Sequence, residues 1–399
     1  MASLWAGGTA LMKIFLSVGE PSGDIHGANL AKHLRELVPN IKIGGFGGPK
    51  MREAGVDQIY PLAEHAAIGF VKVALQYRFY VARVNEAAQW MDREKPDAVV
   101  LVDFPGMNWH IAHKAADRGI PVYYFVPPQL WAWAGWRVKK MKRWVNEAFT
   151  NFPFEDKWYQ ERGMPTSLVG HPYFDELAEE KLDIPSLSAM KSEGGTIIGM
   201  LPGSRGQELA NNVPAMLQTA EILFEKYPEV RFHFACYKPK QADWVRAKIA
   251  GNPRWARLPV EIHSGKTPEV IEASKFMIAV SGSVSLELLW RTKPCVTVYH
   301  GSWFYLQLAR ILKKCKYISL VNLLAEEEIF PEFVHHKCQG KNMAKVCLDW
   351  LAHPEKIQAL REKLTQLRSK WAIPGASARA AHLLVERLAN RNKANTVQL

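Results

Sequence analysis

Short apolar runs alternate with longer amphipathic stretches along this chain. In the first half the pattern predicts strands at 13–18, 41–46, 97–102, 121–126, 146–151 and 166–169. It then restarts and predicts strands at 196–201, 231–237, 259–263, 275–280 and 294–299. Helical stretches separate these strands, and such alternation is typical of parallel α/β sheets. From residue 350 onward the pattern predicts charged helices without a strand.

The two series of strands predict two Rossmann-like parallel-sheet domains with a helical C-terminal tail. Residues 12–185 form the first predicted domain, 190–355 the second and 356–399 the terminal helices. The segment 178–195 is polar and contains Pro, Gly and Ser, as linkers do. Residues 1–11 contain no basic residue, which a secretory signal requires, so we predict a disordered leader or a misassigned start before Met12.

Composition narrows the class of protein. The 399 residues are 48% hydrophobic and 23% charged, which excludes a disordered or collagen-like chain. No apolar run reaches the ~20 residues of a membrane-spanning helix. The five cysteines are scattered and favour free thiols over disulfides or a zinc site, and we expect no metal cofactor. The net charge of +12 favours anionic partners, but no nucleic-acid-binding signature accompanies it.

The loops that follow predicted strands are the candidate ligand sites, because open parallel sheets bind ligands at the carboxyl ends of their strands. The first is GEPSGDIHG at 19–27, where Ser22 or Asp24 could cap the next helix and backbone amides could bind an anion or a sugar hydroxyl. A purely structural tight turn fits this string equally well. Asp103 follows the strand 97–102, where partial burial would raise its pKa toward that of a general base. The alternative is that Asp103 only caps a helix.

Two loops of the second half have the composition of phosphate sites. In LPGSRGQE at 201–208, Gly203 and Ser204 offer amides and Arg205 offers a guanidinium. In SGSVSLE at 281–287, Gly282 and Ser283 begin a helix, and Glu287 could accept hydrogen bonds from ribose hydroxyls. A helix start that faces the core is the alternative for this second string.

Two segments have the character of membrane-facing surfaces. In 131–144 four tryptophans, among them Trp131, Trp133 and Trp136, lie between five basic residues. This combination suits a membrane interface or a phosphorylated lipid. The apolar segment 67–83, with Phe70 and Val71, is a second candidate for contact with acyl chains. Ordinary amphipathic helices that pack on a core are the alternative for both segments.

Ten strings in one order resemble the lipid-A-disaccharide synthase family over nearly the whole chain. They are GEPSGD at 19–24, GGPKM at 47–51, AIGFVKV at 67–73, VDFPGMN at 102–108, PPQLWAW at 127–133, NFPFE at 151–155, LVGHP at 168–172, LPGSRGQE at 201–208, SGSVSLE at 281–287 and YISLVNLLAEEEIFPE at 317–332. The resemblance extends from Met12 to GASARAA at 375–381.

The resemblance implies a GT-B fold of glycosyltransferase family 19, with the acceptor on the first domain and the nucleotide sugar on the second. It implies an inverting transfer from UDP-2,3-diacylglucosamine to 2,3-diacylglucosamine 1-phosphate, which forms the β-1,6 lipid A disaccharide and releases UDP. The family's essential acid falls on Asp103, its first-loop acid and serine on Glu20 and Ser22, and its UDP-contacting arginine on Arg205. Its remaining polar positions fall on Glu287 and Asn322.

The resemblance also implies a Gram-negative source and a cytoplasmic protein held peripherally on the inner face of the inner membrane. The chain departs from the family pattern at Pro127-Pro128, at Ala134 and at Ser283-Val284-Ser285, which leaves acyl-chain preference open. The oligomeric state is also open. The alternatives are a UDP-sugar 2-epimerase, a GT-B transferase for a non-lipid acceptor, or a lipid-binding protein without activity.

Overall fold

The structure is a computed structural model that describes residues 11–66, 73–192, 194–303, 306–307 and 315–397. The chain divides into two units, Met1–Asp175 with Ile373–Leu399, and Glu176–Ala372. Each unit is built around its own parallel sheet. The predicted fold class, two parallel-sheet α/β domains with a helical C-terminal tail, is confirmed.

In the described part of the first unit, seven parallel strands lie in the order β3-β2-β1-β4-β5-β6-β7. They are β1 (Lys13–Val18), β2 (Lys42–Phe46), β3 (Asp57–Tyr60), β4 (Ala98–Val102), β5 (Val122–Phe125), β6 (Glu147–Thr150) and β7 (Thr166–Leu168). The crossover helices are Pro21–Leu37, Pro49–Glu53, Leu62–Ala66, Val73–Glu94, Pro105–Ala116, Val138–Trp144 and Pro153–Gln160, with a 3₁₀ turn at Gly135–Arg137. Parallel neighbours require such crossovers, and the helices bury both faces of the sheet.

In the described part of the second unit, six parallel strands lie in the order β10-β9-β8-β11-β12-β13. They are β8 (Thr196–Leu201), β9 (Val230–Cys236), β10 (Val260–Ser264), β11 (Phe276–Val280), β12 (Cys295–His300) and β13 (Glu332–His335). The helices are Ile184–Ser192, Gly206–Lys226, Pro239–Ala250, Pro253–Ala256, Thr267–Ala273, Val284–Trp290, Leu320–Ala325, Gly340–Ala352 and Pro354–Trp371. Helix Tyr173–Glu179 spans the boundary between the units.

The terminal helix Ala376–Val397 belongs to the first unit. Its Leu384 and Leu388 are buried in the same apolar cluster as Leu16 of β1. The Asp175 carboxylate accepts hydrogen bonds of 2.6, 3.0 and 3.0 Å from the amides of Gly375, Ala376 and Ser377, and so caps the start of this helix. The terminal helix is therefore an integral layer of the first unit.

The predicted domain limits require correction in two places. The terminal helices predicted as one segment, 356–399, divide between the units at Ala372/Ile373. The units also separate at Asp175/Glu176, ahead of the predicted 178–195 linker. That segment contains the helix Ile184–Ser192, which buries Leu187 and Met190, and the amide of Asp183 donates to Glu269 at 2.7 Å. These contacts bind it to the second unit.

Two strands escaped the sequence analysis. β3 and β13 have four residues each, lie at sheet edges, and contain no fully buried position. Short edge strands lack the apolar run from which strands are predicted. The prediction for 1–11 lies outside the described residues except at Leu11. Within the described residues, no helix combines the length and apolar character that crossing a membrane requires.

Candidate functional site

In the first unit, the first glycine-containing loop and the Asp103 loop emerge side by side. Parallel pairing places Val18 of β1 beside Val102 of β4, so Gly19 and Asp103 follow at the same edge of the sheet. A Cβ on Gly19 would lie 2.1 Å from Cδ1 of Phe104. The first loop therefore requires glycine at this position so that the Phe104 ring can pack across it.

The backbone at Asp103 is held in an unusual conformation. Asp103 and Phe104 both have φ of 47°, the left-handed region that non-glycine residues seldom adopt. The Asp103 carbonyl accepts hydrogen bonds from Asn108 Nδ2 at 2.6 Å and from the Tyr124 hydroxyl at 2.8 Å. Asn108 is in turn held by the Ser17 hydroxyl, which donates to its Oδ1 at 2.6 Å. This network holds the Asp103 backbone at the end of β4, and such strained backbone is concentrated at functional sites.

The electrostatics of Asp103 fit the predicted general base. Burial raises the pKa of its carboxyl group, while a hydrogen bond from the Phe104 backbone and the charge of His26 partly oppose that rise. His26 is buried, and its ring lies 6.1 Å from that of His171. Burial, and secondarily His26, lowers the pKa of His171 to about 3.

Sequence reasoning missed both histidines as site residues. His26 lies on the helix that follows β1, and His171 lies in the loop that follows β7. The only signal in the sequence was their place in the strings GEPSGDIHG and LVGHP.

The other predicted residues of the first loop reach the same edge of the sheet. Glu20 is exposed and occupies the N-cap position of helix Pro21–Leu37, and Ser22 is exposed on its first turn. Asp24 does not cap this helix. Its buried carboxylate instead accepts hydrogen bonds from the amides of Gly48, Lys50 and Met51 at 2.7, 2.9 and 3.1 Å. The structure thus leaves Glu20 and Ser22 accessible and uses Asp24 to anchor the 47–51 loop.

The predicted membrane-facing tryptophans separate into two environments. Trp131 is only 7% exposed, and its indole N–H donates to Glu155 at 3.2 Å, so its assignment to a membrane interface is wrong. Trp133 and Trp136 are 48% and 59% exposed. The guanidinium of Arg137 lies 5.2 Å from the ring centroid of Trp133. Phe70 and Val71 lie outside the described residues.

In the second unit the two predicted phosphate loops are also neighbours. β8 pairs with β11 in parallel, with Leu201 beside Ala279, so 203–205 and 281–283 leave the same edge of the sheet. Gly203 has φ of 104°, and a Cβ there would lie 2.6 Å from the Glu208 carboxylate. The Arg205 side chain is 83% exposed at the start of helix Gly206–Lys226.

Glu208 already occupies part of the predicted phosphate site. Its carboxylate accepts hydrogen bonds from the amides of Ser204 and Arg205 at 2.9 and 3.1 Å, and it pairs with the Arg205 guanidinium at 3.1 Å. The prediction that the Ser204 amide is open to phosphate is therefore corrected. The exposed guanidinium remains the accessible cation of this loop.

The second loop presents Gly282 and Ser283 to solvent but not Glu287. Glu287 is 4% exposed, and Arg291 donates to it at 3.1 Å. Arg291 also pairs with Glu180. The structure thus gives Glu287 a partner within the unit, where sequence analysis expected an open acceptor for ribose.

Asn322 has a structural role in place of the predicted substrate contact. It is fully buried, and its Nδ2 donates to the Phe330 carbonyl at 2.7 Å and to Glu332 at 2.9 Å. Its Oδ1 accepts from the amides of Ile329 and Phe330 at 2.9 and 2.8 Å. Two donors and two acceptor positions are all that a carboxamide has, so no hydrogen-bonding capacity is left for a ligand.

A cavity of about 340 Å³ opens at the opposite, amino-terminal edge of the second sheet. Lys293 and Arg361 line it. The Lys293 ammonium donates to the carbonyls of Glu272 and Ser274, and Arg361 donates to the carbonyl of Lys275. These cations bind backbone carbonyls near the end of helix Thr267–Ala273, a stabilising placement. The cavity therefore lies apart from the candidate site.

Comparison with known proteins supplies the family. The family model described as lipid-A-disaccharide synthetase matches residues 14–384. The lipid-A-disaccharide synthase of Geobacter metallireducens is 31% identical over 386 residues, which are 96% of this chain and 100% of that protein. The synthase of Syntrophus aciditrophicus is 32% identical over 370 residues, which are 92% of this chain and 96% of that protein.

Solved structures share the fold at low identity. A UDP-GlcNAc 2-epimerase from Neisseria meningitidis bound to UDP-GlcNAc has a TM-score of 0.62 at 14% identity, and the match covers 94% of this chain and 100% of that chain. MurG of Acinetobacter baumannii has a TM-score of 0.54 at 13% identity, and the match covers 94% of this chain and 100% of that chain. These likenesses show the GT-B fold alone. Through the family model and its 30%-identical relatives, the chain belongs to the lipid-A-disaccharide synthetase family of glycosyltransferases.

Proposed function

We propose that this chain transfers a diacylglucosamine unit from UDP-2,3-diacylglucosamine to the 6-hydroxyl of 2,3-diacylglucosamine 1-phosphate. The products are the β-1,6-linked lipid A disaccharide and UDP, and the anomeric centre is inverted. Membership of the family supports the reaction class. The two substrates are those that its motifs imply, and direct displacement by the acceptor hydroxyl gives the inversion.

The observation that carries the proposal is the placement of Asp103. The attacking hydroxyl must lose a proton as its oxygen bonds to the anomeric carbon, so a proton acceptor is required. The Asp103 carboxyl group lies past the end of β4 on a backbone held by Asn108 and Tyr124. Burial raises its pKa, which makes its carboxylate a stronger base. We assign Asp103 as the base, with Glu20 as the second acid of the same edge.

The departing UDP requires positive charge at its diphosphate. Arg205 offers an exposed guanidinium at the positive end of the long helix Gly206–Lys226. On binding, phosphate oxygens would replace Glu208 as the partner of that guanidinium. Gly203, Ser204, Gly282 and Ser283 shape the same edge of the second sheet. A guanidinium and a helix terminus can stabilise the leaving group, so the proposed transfer needs no metal.

The lipid substrates and the basic surface point to an anionic membrane as the working environment. Trp133 and Trp136 are exposed, next to the basic run 137–143. Exposed indoles beside cations favour the headgroup region of a bilayer. We therefore place the protein on the cytoplasmic side of the inner membrane, attached peripherally.

The test is release of UDP from the two lipid substrates by the purified full chain. We expect Asp103→Asn and Arg205→Ala each to lower kcat/KM by on the order of 100-fold or more. Their far-UV circular dichroism spectra should match the wild type, which shows that the variants are folded. The matched controls are Asp92→Asn and Arg254→Ala, which alter exposed side chains away from these loops.

Either variant turning over at the wild-type rate would remove the corresponding role. UDP release only with a water-soluble acceptor would replace the lipid reaction with another transfer. Conversion of UDP-GlcNAc without any acceptor would favour the 2-epimerase alternative.

A further inference from the structure

Three potential metal ligands share one face of the second sheet. β9 and β10 are parallel neighbours, and the register places Glu261 beside His233. His263 lies two residues beyond Glu261, and side chains alternate along a strand, so it projects from the same face. The pairing of two strands thus brings together residues that the sequence separates.

The atoms of this cluster are close enough to share one ion. His263 Nε2 lies 3.1 Å from His233 Nδ1 and 3.6 Å from Glu261 Oε2. The three ligand atoms all lie within 4.8 Å of one another. A tetrahedral zinc ion with bonds of ~2.0–2.1 Å holds its ligand atoms about 3.3 Å apart. The two separations from His263 Nε2, 3.1 and 3.6 Å, lie close to that value.

We propose that His233, Glu261 and His263 bind one divalent transition-metal ion, with zinc the best match to the donor set. Two imidazole nitrogens and one carboxylate oxygen form a known three-ligand zinc set, and water completes the coordination. We expected no metal from the sequence because it shows no set of three convergent ligands, and strand pairing is what brings these three together. The proposed ion is independent of the transfer reaction, which needs none.

The three side chains of the cluster differ in solvent exposure, which leaves one side open to an ion. His233 is fully buried, the His263 side chain is 16% exposed and the Glu261 side chain is 47% exposed. An ion can therefore approach from the Glu261 side, where water can also occupy the fourth position.

The protonation states agree with a ligand role. Burial lowers the pKa of His233 to about 4 and also lowers the pKa of His263. Burial thus favours the neutral form of both imidazoles, and a neutral imidazole is the form that binds metal.

Two features compete with the ion. The facing nitrogens at 3.1 Å are also within hydrogen-bonding distance of each other, and metal binding replaces that contact. The Arg246 guanidinium donates to the Ile262 carbonyl at 3.0 Å and adds positive charge near the cluster. Its ion pair with Asp243 at 2.8 Å offsets part of this charge. The ion would join edge strand β10 to β9 and so stabilise the second unit.

The experiment titrates the full chain, freed of metal by a chelator, with Co²⁺ and with Zn²⁺. We expect one equivalent of Co²⁺ to give the visible absorption of tetrahedral cobalt, and Zn²⁺ to displace it and raise Tm. His263→Gln and Glu261→Gln should each weaken Zn²⁺ binding at least tenfold and abolish the rise in Tm. His33→Gln is the matched control, since His33 forms an exposed pair with Glu36 at 2.8 Å.

A wild-type chain without the tetrahedral cobalt spectrum would overturn the proposal. So would equal Zn²⁺ affinity in the wild type, His263→Gln and His33→Gln. Thermal unfolding without metal shows that the variants are folded. Because the readouts are spectra, binding and Tm, the outcome is separate from that of the UDP-release assay.

Discussion

Asp103 is half-buried and Asn322 is fully buried, and the structure uses these two polar residues differently. The Asp103 backbone is held by Asn108 and Tyr124, and partial burial raises the pKa of its carboxyl group. Asn322 forms four internal hydrogen bonds and joins the 317–332 loop to the start of β13. The first arrangement fixes the backbone at the proposed base, and the second holds the 317–332 segment in place.

This difference predicts the outcome of replacing Asn322. Asn322→Ala would leave the buried amides of Ile329 and Phe330 without an acceptor, so we expect a loss of about 3 kcal/mol in the free energy of unfolding. Below the lowered Tm, KM for the UDP-sugar should change by less than about threefold. Urea denaturation and initial rates measure the two quantities. Asn342→Ala, in an exposed amide, is the control. Unchanged stability with a large rise in KM would instead support direct substrate contact.

Glu155 is a fully buried carboxyl group in the first unit. Burial raises its pKa from 4.5 to about 7, although Asn151 and Trp131 donate hydrogen bonds to it. A group with a raised pKa binds its proton more tightly in the folded state. Its contribution is therefore full below pH 4.5 and is lost as pH rises through about 7.

We expect Glu155→Gln to remove this pH dependence. Between pH 5 and pH 8, the free energy of unfolding of the wild type should fall by about 3 kcal/mol more than that of the variant. The glutamine side chain has one acceptor oxygen fewer than the carboxylate, so the variant can be less stable at every pH. The readout is therefore the change in the free energy of unfolding between the two pH values. Urea denaturation at both pH values measures it. Glu161→Gln, an exposed acid after the same helix, should follow the wild type; parallel curves for all three would contradict the assignment.

At the scale of elements, each candidate loop is the product of a buried parallel strand and the helix that follows it. β1 and β4 deliver the Glu20 and Asp103 loops, and β8 and β11 deliver the Arg205 and Ser283 loops. Neighbouring parallel strands end at one edge, so chemistry that is distant in sequence meets there. The terminal helix supports the first of these sheets from one face.

The Asp175 cap predicts how that terminal helix can be loosened. Asp175→Ala removes three hydrogen bonds to the amides at 375–377, and a lost cap costs about 1–2 kcal/mol. We expect faster amide hydrogen exchange across 376–397. Asp183→Ala is the matched control, because Asp183 accepts from the amide of Ser186 and so caps helix Ile184–Ser192 in the other unit. Unchanged exchange in 376–397 would show that the helix does not depend on its cap.

At the scale of the whole molecule, the proposed membrane attachment combines the net positive charge with exposed indoles. The net charge of +12 attracts the chain to anionic surfaces, and salt weakens that attraction because it screens exposed charges. In the proposed membrane attachment, the exposed Trp133 and Trp136 would add short-range contact beside the basic run. The buried Trp131 contributes to the fold instead.

Vesicle sedimentation tests this division. We expect the protein to bind vesicles rich in phosphatidylglycerol and to bind vesicles of phosphatidylcholine alone only weakly. Binding should fall severalfold in about 0.5 M salt, where the Debye screening length is only a few ångströms. The double variant Trp133→Ser, Trp136→Ser should bind severalfold more weakly. Trp244→Ser, at a tryptophan 39% exposed in the second unit, is the control. Equal sedimentation of all three proteins would remove the tryptophans from the membrane contact.

The sequence by itself determined the two series of parallel strands except for the short edge strands β3 and β13, the loops that follow the predicted strands, and the family. Apolar periodicity and short motifs are local properties, so Asp103 and Arg205 could be located at loop positions from their neighbours alone. Only the tertiary structure decided that Trp131 is buried, that Glu208 covers the Ser204 amide and that the terminal helix joins the first unit. It alone brought His233 beside Glu261 and His263. Burial and partnership depend on residues brought together by packing and strand register, and no local pattern contains that information.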